Sequence, residues 1–279
     1  MKHKHWIVLA LVAALCSPLG AGVVYEIEVT DHEQSPPVVE SMEISAEGRN
    51  LKMGIPSGGQ SGKGEMIFRG DRREMVVVDH DNKSYMVIDE AMIETIAGQL
   101  SGVMSQMEEA LKNVPEKQRA MVEKMMKQRM PQQAEIPKRP VAEVRKTGDR
   151  AGKNGYPSVR YEVWVSDAKV RDLWVTDWDN IEGGDDVADV FRDMADFFAE
   201  MLDAVGEMAG GLGGMGADTS IFNDFSSIEG FPVVTEEFAD DGSLENESAL
   251  RSAKRQTIDP DAFEPPSGYK RQEMMPGGF

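Results

Sequence analysis

Several short runs between residues 23 and 89 alternate apolar and polar residues with a period of two. The runs are VVYEIEVTDHE, VVESMEISAEG, RNLKMGI, GEMIFRGD, REMVVVDHD and KSYMVID, and polar turn residues separate them. A period of two places successive side chains on opposite faces of a strand. The turns are short, so they can join antiparallel neighbours but not parallel ones. This region therefore predicts an antiparallel sheet built from hairpins.

The period changes at Asp89. From there the apolar residues recur at three or four positions, as in an amphipathic helix: they are Ile93, Ile96, Leu100, Val103, Met107, Leu111 and Val114. Pro115 suits the first turn of a second helix, and Pro131 would end it. We therefore predict a Met-rich helical excursion over residues 89–130.

Alternation resumes after residue 140, with AEVRKTGD, YPSVRYEVWVSD and VRDLWVTDWD. An acidic helix followed by a glycine-rich linker is predicted over residues 183–217. FPVVTEEFAD and ENESALRSAKRQTI then predict a closing hairpin around Asp240, Asp241 and Gly242. Strands and helices are segregated along the chain, which is typical of an α+β fold with a large antiparallel sheet.

The stretch GGLGGMG, residues 210–216, has the spacing G-x-G-x-x-G. A dinucleotide site needs this spacing after a buried strand and before a helix, where the backbone N–H groups meet a pyrophosphate. Here a predicted helix precedes the glycines and a strand follows them. The stretch therefore favours a flexible linker, and no cofactor is predicted.

Residues 1–22 have the form of a signal peptide, with Lys2 and Lys4, an apolar run and small residues at the end. The apolar run is too short to span a membrane, and Leu15 before Cys16 is a poor match to a lipidation site. We therefore expect a single domain over residues 23–279, located in the periplasm or outside the cell, with no stable membrane span.

The formal charge of −19 argues against binding to nucleic acid. Only His32 and His80 follow the leader, so a metal site with several histidines and a catalytic triad are both disfavoured. His80 belongs to a predicted turn, where we expect it to be solvated. No nucleophile elbow is present. The sequence thus predicts no enzyme, no catalytic residues and no metal site.

The chain contains 19 methionines, and three explanations for them stay open. Methionine clusters can bind Cu(I), although His or Cys usually joins them. Methionine also fills irregular apolar cores, and a flexible Met-lined surface suits a groove for variable apolar ligands. In the acidic helix, Val187, Val190, Phe191, Met194, Phe197, Phe198 and Met201 share one face and the acids share the other, which predicts a buried apolar face.

Three stretches carry a family resemblance: RGDRREMVVVDHDNKSYMVID, GYPSVRYEVWVSDAKVRDLWVTD and IDPDAFEPPSGY. They resemble a family of secreted bacterial proteins, a domain of unknown function related to the LolA and LppX type of lipoprotein and lipid carriers. The resemblance implies a curved antiparallel half-barrel whose concave face is covered by helices and encloses an apolar cavity.

On this basis we expect a carrier or binder of an acyl chain or lipoprotein anchor. The predicted cavity residues are Met104, Met107, Met121, Met125, Met194, Phe197, Phe198 and Met201. The alternative is a structural or partner-binding protein of the cell envelope, in which the helices complete a dry core.

Overall fold

The computed structural model describes residues 21–55, 63–95, 142–205 and 227–272, together with residues 98 and 102. In this part of the chain, twelve strands form one open, curved sheet. The strands are β1 (Gly22–Asp31), β2 (Val38–Glu47), β3 (Asn50–Ile55), β4 (Gly64–Arg69), β5 (Glu74–Asp79), β6 (Ser84–Ile88), β7 (Glu143–Lys153), β8 (Tyr156–Val165), β9 (Ala168–Thr176), β10 (Phe231–Phe238), β11 (Leu244–Gln256) and β12 (Lys270–Arg271).

The sheet consists of two antiparallel meanders that meet at their outer strands. Strands β1 to β6 form one meander and β7 to β11 form the other, and β1 pairs with β11 to join them. The joining register runs from Gly22 opposite Gln256 to Asp31 opposite Asn246. The short β12 pairs in parallel with β6. Because β6 and β7 lie near opposite edges, the segment between them links the two ends of the sheet.

The predicted antiparallel sheet is confirmed, and each alternating run contains a strand. The described part of the chain is mostly sheet with few helices. It is roughly consistent with the predicted α+β class, but its share of β structure is larger than predicted. The strand β12 was not predicted, because its two residues have no alternating pattern. Most of the Met-rich excursion, the glycine linker and residues 1–20 of the predicted leader lie outside the described residues. Gly22, assigned to the leader, begins β1.

A helix that we call α1 (Gly184–Val205) lies in the connection between β9 and β10. Asp185 and Asp186 occupy its first turn, where carboxylates interact favourably with the positive end of the helix dipole. Residues 90–95 form a helical turn that begins the predicted excursion, and the Asp89 carboxylate caps it by accepting the Met92 N–H at 2.8 Å. None of the described helices is long and apolar enough to cross a membrane.

The predicted division of α1 into two faces is confirmed where its side chains are described. The apolar set from Val187 to Met201 is buried in one cluster with residues of the sheet. Asp185, Asp186, Asp189, Asp196 and Glu200 are exposed on the other side. Burial of each large apolar side chain contributes about 1.5–3 kcal/mol, so this face fixes α1 on the sheet.

Strands β4 and β5 of the first meander are buried on both faces. Met66, Phe68 and Met75 belong to the cluster that α1 joins, whereas Ile67 and Val76 point to the other face. The chain after β11 covers that second face with Ile258 and Phe263. Burial on both sides explains why β4 and β5 contain nearly continuous apolar runs instead of strict alternation.

Candidate functional site

The interface between α1 and the sheet contains the described members of the predicted cavity. Met194 is fully buried, and Phe197, Phe198 and Met201 are 4–5% exposed. The Phe197 ring lies 5.9 Å from the ring of Phe68 on β4, measured between centroids. These four residues are therefore brought together on the inner face of α1. Their role as ligand contacts stays a prediction.

The remaining predicted cavity residues, Met104, Met107, Met121 and Met125, lie outside the described residues. The sequence assigns them to the predicted helical excursion over residues 89–130. In its first turn, Ile93 is buried in the same cluster as the inner face of α1. The excursion therefore enters the same core at its start.

The N-terminal end of α1 is enclosed by aromatic rings. Phe231 lies 5.3 Å from Tyr25 and 5.6 Å from Trp178, between ring centroids, and Trp178 lies 6.4 Å from Phe191. The Tyr25 hydroxyl is buried and has no hydrogen-bond partner among the described residues. Burial raises the pKa of Tyr25 well above its ordinary value, so this hydroxyl stays protonated.

Two glycines allow the chain to enter α1 at this end. Gly183 has φ of +69°, a left-handed conformation, and a Cβ there would overlap the Val23 side chain. A Cβ on Gly184 would overlap the carbonyl group of Trp178. The chain therefore packs closely against the Val23 side chain and the Trp178 backbone where α1 begins.

A groove opens along the side of α1 toward its C-terminal end and has a volume of about 260 Å³. Its apolar lining includes Phe68 and Phe197, which are both buried in the core. The full lining is Arg49, Phe68, Gly70, Arg73, Asp193, Asp196, Phe197, Ala199 and Glu200. The groove thus connects solvent with the rings beneath α1.

Two ion pairs cross this groove, and we call them the latch pairs. Arg49 Nε lies 2.8 Å from Asp193 Oδ2, and Arg73 pairs with Glu200 through its guanidinium. Their side chains are 34–63% exposed. Ion pairs with this exposure contribute about 0–1 kcal/mol each, because water and salt screen them. The latch pairs position α1 without holding it firmly.

The arginines of the latch pairs were not predicted. Arg49 lies in the turn between β2 and β3, and Arg73 lies in the turn between β4 and β5 with φ of +49°. Each is an ordinary charged turn residue in the sequence. Their significance depends on α1, which lies far along the chain. The two residues of each pair are separated by 144 and 127 residues, respectively. No local sequence pattern predicts a contact over such a separation.

The lining of the groove limits its chemistry. Among the described residues it holds two guanidinium groups, three carboxylates and apolar surface. This set can bind charged and apolar groups. Within the described ranges, no group of three or more His, Cys, Asp or Glu residues has the geometry to hold a metal ion.

The expectation that His80 is solvated in its turn is wrong. Its Nδ1 lies 2.8 Å from the Tyr269 hydroxyl, and the side chain is half-buried. That partner lies in the C-terminal segment after β11, where the sequence has no hairpin pattern that predicts the contact.

No protein-family model matches this chain, and a search of curated proteins finds no match either. Among solved structures, an uncharacterized conserved protein from Thermus thermophilus is 6% identical with a TM-score of 0.42 over 91% of each chain. PNGF-II is 7% identical with a TM-score of 0.37, covering 91% of this chain and 31% of that one. MucB in the Pseudomonas aeruginosa MucA/MucB complex is 10% identical with a TM-score of 0.35, covering 92% of this chain and 62% of that one. At these scores and identities the function must be argued from the site itself.

Proposed function

We propose that the protein is an exported, non-enzymatic binder or carrier of an apolar ligand such as an acyl chain. The ligand would lie between α1 and the sheet, inside the half-barrel that the family resemblance implies. One observation carries the proposal: the inner face of α1 is wholly apolar, while weak, exposed ion pairs hold the groove side of the helix. A wall of this kind can separate from the sheet without breaking a strong polar contact.

The residues on this inner face suit ligands of variable shape. Met194 and Met201 are unbranched and polarisable, so they can repack around different apolar chains. Phe68, Phe197 and Phe198 offer large apolar surfaces beside them. With α1 on the sheet, the groove has a volume of about 260 Å³. This is slightly smaller than the roughly 300–1,000 Å³ of pockets for drug-sized ligands. Binding of a long chain therefore requires α1 to shift.

The alternative is a structural or partner-binding protein with a dry core. The close contacts of Gly183 and Gly184 favour it, because they leave no space at the N-terminal end of α1. The two proposals differ in what happens at the other end of the helix. In the alternative, the inner face of α1 never leaves the sheet.

Mass spectrometry of an organic extract from the natively purified, full-length protein tests the proposal. We expect a co-purified lipid in stoichiometric amount. Phe198→Ala should reduce its retention, whereas Phe263→Ala should not, because Phe263 is equally buried but lies on the other face of the sheet. The two variants lose similar apolar area, so a difference between them isolates the site from stability. An extract without lipid, and no binding of added lipid, would favour the dry core.

A further inference from the structure

The two walls of the groove carry opposite charge. The sheet contributes Arg49 and Arg73, from two neighbouring hairpin turns, with Phe68 buried below them. The helix contributes Asp193, Asp196 and Glu200. When α1 lies on the sheet, the charges largely cancel. If α1 moves away, the sheet wall is left as two guanidinium groups above an apolar floor.

Each of these arginines uses a carboxylate of α1 as its partner. Arg49 binds Asp193, and Arg73 binds Glu200. All four side chains reach solvent, so a competing anion can approach them directly. An exposed ion pair contributes little to stability, and exchanging one carboxylate for another anion therefore costs little.

We propose that the ligand is an anionic amphiphile and that Arg49 and Arg73 bind its phosphate or carboxylate headgroup. This inference rests on the proposed function and names its ligand class. The headgroup takes the places of the Asp193 and Glu200 carboxylates, and the acyl chain enters past Phe68 and Phe197 beneath α1. A guanidinium suits this role because it binds phosphate and carboxylate oxygens with two parallel N–H donors.

The same exchange couples binding to opening. Once the headgroup occupies the arginines, Asp193 and Glu200 lose their partners, and the acidic side of α1 is repelled by the bound anion. The helix then stays away from the sheet wall for as long as the ligand remains. A neutral amphiphile of the same chain length would gain the apolar contacts without this electrostatic release.

Binding of dodecyl phosphate, dodecanoate and dodecanol to the full-length protein, measured by displacement of a neutral apolar fluorescent dye, tests the inference. We expect both anions to bind roughly tenfold more tightly than dodecanol, since hydrogen bonds to charged groups are the stronger ones. Inorganic phosphate serves as a further competitor that has the headgroup chemistry but no chain. We expect it to compete only at much higher concentration.

Two double variants separate the headgroup role from the latch role. Arg49→Gln with Arg73→Gln breaks both latch pairs and removes the guanidinium groups, so the preference for anions should be lost while dodecanol still binds. Asp193→Asn with Glu200→Gln breaks the same pairs but keeps the arginines, so the preference should persist or increase. Thermal melts verify that both variants fold.

Equal loss of the anion preference in both double variants would overturn the inference, because the arginines would then act only by holding α1. Equal affinity for all three amphiphiles in the wild type would overturn it too, while leaving the proposed function intact. Competition by inorganic phosphate as strong as that of dodecyl phosphate would overturn it as well, because it would indicate a simple anion site. If none of the three amphiphiles binds, the proposed function itself fails.

Discussion

The two ends of α1 are attached to the sheet in different ways. At the N-terminal end, Gly183 brings the helix into direct contact with Val23 on β1, and Gly184 packs against the Trp178 carbonyl in the turn that follows β9. At the C-terminal end, only side chains fill the interface, with Met194 and Met201 beside the rings of Phe197 and Phe198, and the latch pairs lie outside it. Backbone contacts cannot adjust without moving the chain, whereas methionine side chains can repack.

In the proposed binder, this difference predicts which end of α1 opens. The N-terminal end is an anchor, because any separation there also breaks the ring contact between Trp178 and Phe191. The C-terminal end lies beside the groove and can separate by exchanging side-chain contacts. A helix anchored by backbone contacts at one end and held by side-chain contacts at the other would rotate about its anchored end.

The largest effect is expected for Phe198→Asp. The substitution removes the ring of Phe198, which is 5% exposed, from the core. It also buries a carboxylate without adding a cation or hydrogen-bond donor to pair with it. Loss of such a ring alone costs about 3–5 kcal/mol, and the carboxylate adds to it. A thermal melt should show a marked drop in Tm.

The matched control is Asp196→Asn, on the exposed side of the same helix. A surface change of this kind usually stays within about 0.5 kcal/mol. Asp193 is less suitable, because it is paired with Arg49. Equal Tm values for the two variants would show that the C-terminal end of α1 does not contribute to the fold, and the comparison of its two ends would be lost.

A smaller loss, of about 1–3 kcal/mol, is expected for Gly184→Ala at the anchored end, because the new Cβ overlaps the Trp178 carbonyl. Helix propensity alone predicts the opposite, a gain of up to about 1 kcal/mol. Urea denaturation decides between them. Gly148→Ala in β7 is the control, since no atom lies within 4 Å of its added Cβ. If Gly184→Ala is as stable as this control, the anchor is not rigid.

The anchored end illustrates how far the sequence predicts this fold. The spacing from Val187 to Met201 predicts the buried face of α1, and the alternation along β1 predicts that Tyr25 shares a face with Val23. Both signals are local, because helix and strand periods act over a few residues. The residues against which each face packs are not predicted, because nothing in the sequence near Tyr25 indicates that Phe231 is its neighbour.

The groove shows the limit more clearly. Phe197 was predicted as a cavity residue from its place on α1, but Phe68, Arg49 and Arg73 were not linked to it. Their proximity follows from the order of strands in the sheet, which places β3, β4 and β5 on the side of β1 away from β11. Alternation does not encode strand order, so Phe197 could be predicted as a site residue and the residues of the sheet wall could not.

Tyr25→Phe should have a smaller effect of opposite sign. It removes a buried hydroxyl that has no partner among the described residues, so the free energy of unfolding at neutral pH should rise by up to about 1 kcal/mol. Urea denaturation measures this, with Tyr85→Phe, on the other face of the sheet, as the control. A loss of stability beyond that of the control would indicate that the hydroxyl is hydrogen-bonded.

The same variant should change the response to alkaline pH. Since burial raises the folded-state pKa of Tyr25, the stability that this residue contributes is fully present below about pH 10, where tyrosine ionises in the unfolded chain. It is lost as the pH rises toward the folded-state pKa. Phenylalanine does not ionise, so Tyr25→Phe should lose less stability than the wild type above about pH 10.

The smallest change in stability, and the most direct test of the comparison, comes from breaking one ion pair at the anchored end of α1 and one beside the groove. Arg255 lies 2.7 Å from Asp186 at the anchored end, and Arg49 lies 2.8 Å from Asp193 beside the groove. Arg255→Gln and Arg49→Gln should each lower the free energy of unfolding by less than about 1 kcal/mol, because all four side chains are partly exposed.

Amide hydrogen exchange should nevertheless distinguish the two variants. Loss of Arg49 should speed exchange over residues 194–201, since the contacts left there can repack, whereas loss of Arg255 should leave residues 185–191 protected by the glycine contacts. Faster exchange at the N-terminal end in Arg255→Gln, or none at the C-terminal end in Arg49→Gln, would mean that α1 does not open from the groove.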